Sequence, residues 1–238
     1  LGLTSYFRSA QEQLLPRFEE TVDGDTYHVV KTEMSDHQFG LYEKVRKEEA
    51  DREKRAKKMN RKKAADDLFT ISSTYRIFSR AACNFTFPEG IDRPVPVIKE
   101  DADMNEDAFD AIQSEADPDG EEDVGEKPKD VETYSTRIEN AMNALNANIE
   151  NTNVSMYLSK DALPTYSPKF AKILENISDP ANKGLHLLYS HFRTIEGIGV
   201  MRLILLANGF AEFKLQKVDD KWTVIEKEED TGKPRFVL

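Results

Sequence analysis

Nucleotide hydrolysis calls for a glycine-rich loop whose freed backbone amides cradle phosphates, followed by a lysine and a serine or threonine that reach the phosphates and a magnesium ion. No such run occurs in the 238 residues. The segment "EGIG" at 196–199 holds two glycines without the lysine, inside a strongly apolar helical pattern, and reads as close packing. Metal chemistry needs clustered ligands at fixed spacing, whereas His28, His37, His186 and His191 are scattered along the chain. Cys83 has no histidine or aspartate partner at motif spacing and reads as a small buried hydrophobe rather than a nucleophile. The Asn-x-Ser/Thr triplets at Asn84, Asn153 and Asn176 matter only in a secreted chain. What remains is charge. Eight basic residues fall between Arg52 and Lys63, among them Lys57, Lys58, Arg61 and Lys62, and they wrap all sides of a helix. Such a surface suits a phosphate backbone, releasing counterions as it binds. A solvated helix laced with Glu/Lys pairs, or a partner for an acidic segment, accounts for the same residues equally well. No aromatic residue interleaves the run, so base stacking is not expected from it.

The formal net charge is −11, from 33 basic and 44 acidic residues, but it is unevenly spread. Thirteen acidic residues and no basic one lie between Glu100 and Glu126; outside that stretch 31 acidic residues face 33 basic ones, a net of +2. The low overall pI therefore says little about nucleic acid. No apolar run reaches membrane length, no basic-plus-apolar leader opens the chain, and the single thiol suits a reducing compartment, so a soluble intracellular protein without membrane contact is expected. The chain opens without Met on "LGLTSYFRSAQEQLLP", which reads as the middle of an element, and stops on "PRFVL" in an apparent strand, as expected of an internal piece of something longer.

These residues need elements to position them. In "MSDHQF" Ser35 is a helix N-cap three residues before Gln38, the spacing of a capping box, with Met34 and Phe39 placed as a hydrophobic staple. Leu41, Tyr42 and Val45 give that helix about three turns of apolar stripe, after which "RKEEADREKRAKKMNRKK" offers almost nothing to bury. Leu68, Ile71, Tyr75, Phe78 and Ala82 mark a second helix that ends before the prolines of "NFTFPEGIDRPVPV". From about Lys99 to Asp130 the chain is acidic, punctuated by Gly and Pro, and too poor in apolar groups to offset its ordering entropy, so a disordered insert is predicted. Tyr134, Ile138, Met142, Leu145 and Ile149 lie on one face of a third helix; Phe170, Ile173, Leu174 and Ile177 lie on one side of a fourth, with Pro168 at a permitted early position. "GLHLLYS" reads as a strand, "TIEGIGVMRLILLANG" as a helix closed by Gly209, and "FAEFKLQKV" and "KWTVIEKE" as strands alternating in and out around an Asp219-Asp220 turn. A helix, strand, helix, strand order argues for part of an open α/β sheet, whose ligands lie in loops beyond the strand ends, here "SHFRT" at 190–194.

In order, four segments resemble the Snf-type superfamily 2 DNA-dependent ATPases. "VVKTEMSDHQFGLYEKV" (29–45) resembles their "Ls..Q...Y" helix, "FSRAACNFTFP" (78–88) their "lRkicnHP" segment, "YSPKFAKILENI" (166–177) their "SgKl..L..lL" segment, and "LHLLYSHFRTIEGI" (185–198) their motif IV, "vlIFSQFt..ld.l". The wording is most similar to helicases encoded by large nucleocytoplasmic DNA viruses, and it spans nearly the whole chain outside the acidic insert.

The resemblance implies an α/β fold: a partial RecA-like lobe, with a parallel open sheet and helices, preceded by a helical region and the disordered acidic insert. The implied divisions are a helical inter-lobe region at 1–98, the insert at 99–130, and a helix plus the start of the second lobe at 131–238. It requires 185–190 to be a central strand running into a helix. The parent protein would use ATP and magnesium to move on double-stranded DNA. The ATP-binding motifs belong to an upstream lobe and the last arginine motifs lie beyond Leu238, so this piece alone is not expected to hydrolyse ATP. Ser190, His191 and Arg193 would face the cleft between lobes, with Arg193 on a phosphate, and Phe192 would pack. His191 stands where the family usually has Gln, which puts that residue's hydrogen bond in doubt. Lys169 matches the Lys of "SgKl" as a backbone contact; Arg80 matches the family's "lRk" Arg and is read as pairing with a carboxylate. The insert would recruit transcription or replication proteins, and a viral protein would reside in the viral factory, the virion, or the host cytoplasm or nucleus. The rival reading is a non-enzymatic module whose basic helix and acidic insert bind partners or each other.

Overall fold

The computed structural model describes residues 28–60, 76–94, 134–218, 221–225 and 227–238. Residues Leu1–Thr32 and Glu33–Leu238 form separate units, and every described helix and strand belongs to the second. Helix α1 (Asp36–Asn60) starts where the Ser35 cap predicts. The Ser35 Oγ accepts from Gln38 N at 3.0 Å and the Ser35 carbonyl from Phe39 N at 2.8 Å. The capping box does not close: the buried Gln38 side chain turns the other way and donates from Nε2 to Ala82 O at 2.8 Å, while Phe39 is exposed.

That bond joins α1 to α2 (Ile77–Ala82); the earlier part of the predicted second helix, 68–75, lies outside the described residues. A second tie corrects the expectation that the charged half of α1 buries nothing. Glu49 is buried, and its Oε1 accepts from Phe78 N at 3.0 Å and Ser79 N at 3.1 Å. The residue preceding α2, Arg76, has φ 53° and no capping side chain, so the free amides at the start of α2 take their anion from the neighbouring helix. Arg46 Nη1 lies 3.7 Å from the other Glu49 oxygen.

Beyond α2 the proline-containing connector is irregular, as its composition predicts. Phe85 and Phe87 bury their rings edge to face with centroids 5.6 Å apart. Thr86 N donates to Tyr166 O at 3.0 Å, fixing the connector against the later helices. Helix α3 (Tyr134–Leu145) buries Ile138, Ala141 and Leu145; it stops before Ile149, which is exposed rather than on the helix face. A one-turn α4 (Leu163–Tyr166) leads into α5 (Pro168–Ser178), capped by Ser167 Oγ accepting from Phe170 N at 3.0 Å, with Pro168 in the first turn and Phe170 and Leu174 buried. Helix α6 (Ile198–Ala207) is apolar nearly all round and buries Val200, Met201, Leu203, Ile204 and Leu205, the pattern of a central core helix. At its end Asn208 donates from Nδ2 to Leu158 O at 2.8 Å and accepts at Oδ1 from Lys160 N at 2.9 Å, before Gly209 turns at φ +86°. Phe85, Phe87, Ile138, Leu145, Leu163, Phe170, Leu174 and the α6 residues share one core.

The sheet content is mixed α/β with a small parallel pair. Strand β1 (Ala211–Glu212) pairs in parallel with β4 (Arg235–Phe236), and the hairpin β2 (Lys214–Val218) and β3 (Lys221–Ile225) is inserted between them. Arg202 of α6 holds β1, donating from Nε and Nη2 to Glu212 Oε2 at 3.0 and 2.7 Å. These hydrogen bonds and the Arg202 charge keep the Glu212 carboxyl below the usual range, against the opposing pull of partial burial.

Two expectations are overturned. Segment 185–190 has no regular secondary structure and is not a central strand: no described strand pairs with it, and Leu185 and Leu187 are fully exposed while Leu188 alone packs on the core. An apolar run specifies a buried strand only when a neighbour takes up its backbone N–H and C=O groups, and the parallel pair that forms is two residues long. The hairpin forms in the predicted place, yet its strands do not alternate in and out, since every described side chain of β2 and β3 is exposed. Period-2 patterning buries a face only if another layer covers it.

Candidate functional site

A cleft of about 360 Å³ opens between the end of α2, the start of α5 and the segment 188–192. It gathers Arg80, Cys83, Asn84, Lys169, Ser190 and His191 from three stretches of sequence. Lys169 and Arg80 supply positive charge, and the Lys169 Nζ donates to Asn84 Oδ1 at 2.7 Å. Ser167 Oγ donates to Asn84 O, so the residue that caps α5 also fixes the residue that orients Lys169. Arg80 is exposed and makes no ion pair with a described residue, so the expectation that it pairs with a carboxylate is not met; it faces the cleft.

The wall opposite is built by a backbone device. The carbonyls of Phe192, Arg193 and Thr194 accept from Ile198, Gly199 and Val200 N at 3.1, 2.7 and 3.2 Å, folding the loop back over the first turn of α6. A Cβ at Gly197 would collide with Phe192 O and C and lie 2.7 Å from Phe192 Cβ; at Gly199 it would collide with Thr194 O and lie 3.1 Å from Thr194 Cα. The two glycines of "EGIG" therefore serve close backbone approach, and the amides that a phosphate cradle would need are already satisfied. Glu196, between loop and helix, has φ 54° and is buried in a paired contact with Arg93, whose Nε meets Oε1 and whose Nη2 donates to Oε2 at 2.9 Å. Phe192 is buried against Ile77 and Ala81, so it packs rather than stacks.

Of the residues singled out from sequence, Ser190, His191 and Lys169 meet in this cleft. Ser190 Oγ accepts from Phe192 N at 3.2 Å, and the exposed His191 ring stands edge-on to Phe192 with centroids 5.7 Å apart. Arg193 is exposed but is not among the residues lining the cleft, and it contributes its carbonyl to the α6 cap. Lys57 and Lys58 lie in the last turns of α1, while Arg61 and Lys62 lie outside the described residues, as does the acidic insert. Sequence reading missed Asn84 as a cleft residue, seeing only its Asn-x-Thr triplet; the "SRAACNF" match was the available signal.

Cys83 lines the same cleft, half-buried. Burial pushes its thiol above the ordinary range, Lys169 pulls it down, Glu49 pushes it up, and the net direction is up. The thiol is thus protonated at neutral pH, and the thiolate is the nucleophile. Alkylation by iodoacetamide at pH 7 is expected to run slower than for a free thiol, accelerating only as pH passes the raised value. A rate at pH 7 above that of free cysteine, measured by mass spectrometry against time, would refute this.

A larger groove of about 620 Å³ runs along α1 with an apolar floor that includes Leu41, Val45, Phe78 and Phe87. Asp36, Glu48, Glu89 and Asp92 rim it, against Lys44. Its charge repels phosphate, so the smaller cleft is the better anion site despite its size.

No protein-family model matches the chain, and no solved structure matches it. The chain is similar to a protein of Acanthamoeba polyphaga mimivirus named as a putative ATP-dependent RNA helicase, 24% identical over 250 residues that take in 91% of this chain. The chain spans 29% of that relative's length.

Proposed function

We propose that this chain is part of an ATP-dependent helicase or translocase of the Snf-like superfamily 2 kind, as in large DNA viruses, acting on double-stranded DNA, and that the Arg80–Lys169 cleft is one of its phosphate-backbone contacts. One observation carries the reading: motif residues from three separate segments, Arg80, Lys169, Ser190 and His191, converge on a single cleft with two cationic side chains. Similarity to the mimivirus protein supports the helicase part of the proposal. Segment 185–190 fails the central-strand requirement of the resemblance, so the RecA-like lobe carries nothing here and the proposal rests on the cleft and on the similarity to the mimivirus protein.

ATP and magnesium do not fit the residues present. No Gly-rich loop with Lys-Ser/Thr occurs, and the glycine-flanked start of α6 has its amides taken by loop carbonyls. No nucleotide step is assigned to this chain; its part is to hold the nucleic acid. Lys169, oriented by Asn84, and Arg80 would each neutralise a phosphate.

The test is duplex DNA affinity against salt. Each phosphate contact contributes roughly −0.9 to the slope of log K against log salt, so Lys169→Ala and Arg80→Ala are each expected to flatten the slope by about that much and to weaken binding equally across sequences. Unchanged slopes in both variants, or salt-insensitive binding, would favour the interaction-module reading. Loss confined to an RNA duplex, with DNA unbound, would transfer the proposal to RNA.

A further inference from the structure

No backbone or packing requirement makes residue 40 a glycine. Gly40 lies within α1, its φ is not left-handed, and a Cβ built on it would meet nothing within 4 Å. Glycine in the body of a helix is destabilising, and where neither a turn nor close packing needs it, the remaining use is to let another group approach the backbone. The open space beside it is the groove of about 620 Å³. Asp36, Gly40, Lys44 and Glu48, four apart and so on one helix face, form its α1 wall, with Leu41 and Val45 beside them. From Asp36 to Glu48 that wall runs about 18 Å at the rise of an α-helix. Such a length exceeds a small amine and suits about three turns of a second helix.

The charge on the groove selects the occupant. Glu89 and Asp92, on the connector wall, are exposed, and neither has an ion pair with a described residue. Glu49 also lines the groove and keeps Oε2 without a hydrogen bond, with Arg46 Nη1 3.7 Å away. Arg93 is already taken by Glu196, which leaves Lys44 alone to oppose these carboxylates. The rim therefore suits cations, and the floor suits apolar side chains. Main-chain pairing is not on offer: Pro88 has no N–H, Ile91 N donates to Pro88 O at 3.2 Å, and Phe87 O meets His37 Nε2 at 3.2 Å. An extended segment would find no ladder there, whereas a helix brings its own hydrogen bonds. The basic run at 52–63 of another copy has the cations but almost no apolar stripe to lay on Val45, Phe78 and Phe87.

We propose that the α1 groove binds an amphipathic helix of a partner protein, with its apolar stripe on Val45 and Phe87, its backbone close to Gly40, and its Lys or Arg side chains toward Glu89 and Asp92. The groove shares no lining residue with the Arg80–Lys169 cleft. The nucleic-acid reading can therefore fail without this proposal, and this proposal without that reading.

The experiment titrates the 238-residue chain into a fluorescein-labelled peptide of about eighteen residues, long enough to be helical, with leucines spaced by threes and fours and lysines on either side of them. Anisotropy is expected to rise to saturation, and the same peptide with its leucines replaced by glutamine is expected not to bind. Glu89→Gln together with Asp92→Asn should weaken binding by roughly 2- to 30-fold, the contribution of two exposed ion pairs, and the difference should shrink as salt is raised. Gly40→Lys should weaken it at least about tenfold, by filling the open wall and setting like charges together, without lowering the melting temperature. These variants keep the acidic run at 100–126, so a peptide held by that run would bind parent and variants alike, which overturns the groove. Binding of the leucine-free peptide shows that charge alone is read and overturns the proposal too. Dimerisation of the parent in sedimentation velocity, abolished by Gly40→Lys, gives the groove to a second copy instead. No binding of the leucine-containing peptide to the parent removes the proposal and leaves the duplex test untouched.

Discussion

Replacing Arg93 by alanine is expected to lower the unfolding free energy by about 3–5 kcal/mol, the cost of leaving a buried charge without its partner. The pair it breaks is asymmetric. Glu196 is 2% exposed, whereas the Arg93 side chain keeps 24% of its surface. Removing the arginine strands a carboxylate in the interior; removing the glutamate leaves a guanidinium that can still reach water and lies 5.3 Å from the centre of the Phe78 ring. Arg93→Ala should therefore cost more than Glu196→Ala. Burial alone would pull the Arg93 guanidinium down, but the charge and hydrogen bonds of Glu196 more than reverse it, so the guanidinium is held above its ordinary range. Urea denaturation with the slope held common measures each loss, and for a domain of this size the melting temperature should fall on the order of 10 °C. The double variant should cost less than the sum of the two single ones. Equal single losses that add would show the pair to be uncoupled.

Gly197→Ala should be at least as damaging, roughly 3 kcal/mol or more, at the upper end of what forced overpacking and lost hydrogen bonds produce. The added methyl would meet backbone, the Phe192 carbonyl, which cannot move aside as a flexible side chain can. Relief requires lifting the loop from α6, which breaks the bonds from Ile198, Gly199 and Val200 and displaces Ser190 and His191 from the cleft. Duplex affinity should therefore fall together with stability. Gly40→Ala supplies the control: it lies within α1 with nothing within 4 Å of the new methyl, and is expected to stabilise by about 0.5–1 kcal/mol. Thermal melts by circular dichroism decide the matter, and a Gly197→Ala melt at the parent temperature would show the loop to be free to move.

Local features were legible where the physics is local. The Ser35 cap, the early Pro168 of α5, the Asn208–Gly209 stop of α6 and the β2–β3 pairing each depend on residues a few positions apart, and each forms. The candidate cleft was half legible. Motif resemblance singles out Lys169, Ser190 and His191, but it pairs Arg80 with a carboxylate and gives Asn84 no role, because nothing in sequence shows that the end of α2 and the start of α5 touch. Glu49 was read as solvated since its neighbours are charged; its burial depends on amides of a helix almost thirty residues away.

The sequence by itself determined the α/β character, the helix caps, the turn positions and the need for glycine around Glu196, because propensity, capping and steric freedom act within one or two turns of chain. Only the tertiary structure decided which charges are paired, which apolar faces are covered and which cations share a cleft. Glu196 finds Arg93 across more than a hundred residues, while the equally apolar Leu185 and Leu187 find no layer to cover them. Burial and ion pairing depend on what lies opposite in space, and a pattern along the chain carries that information only as far as its own period reaches.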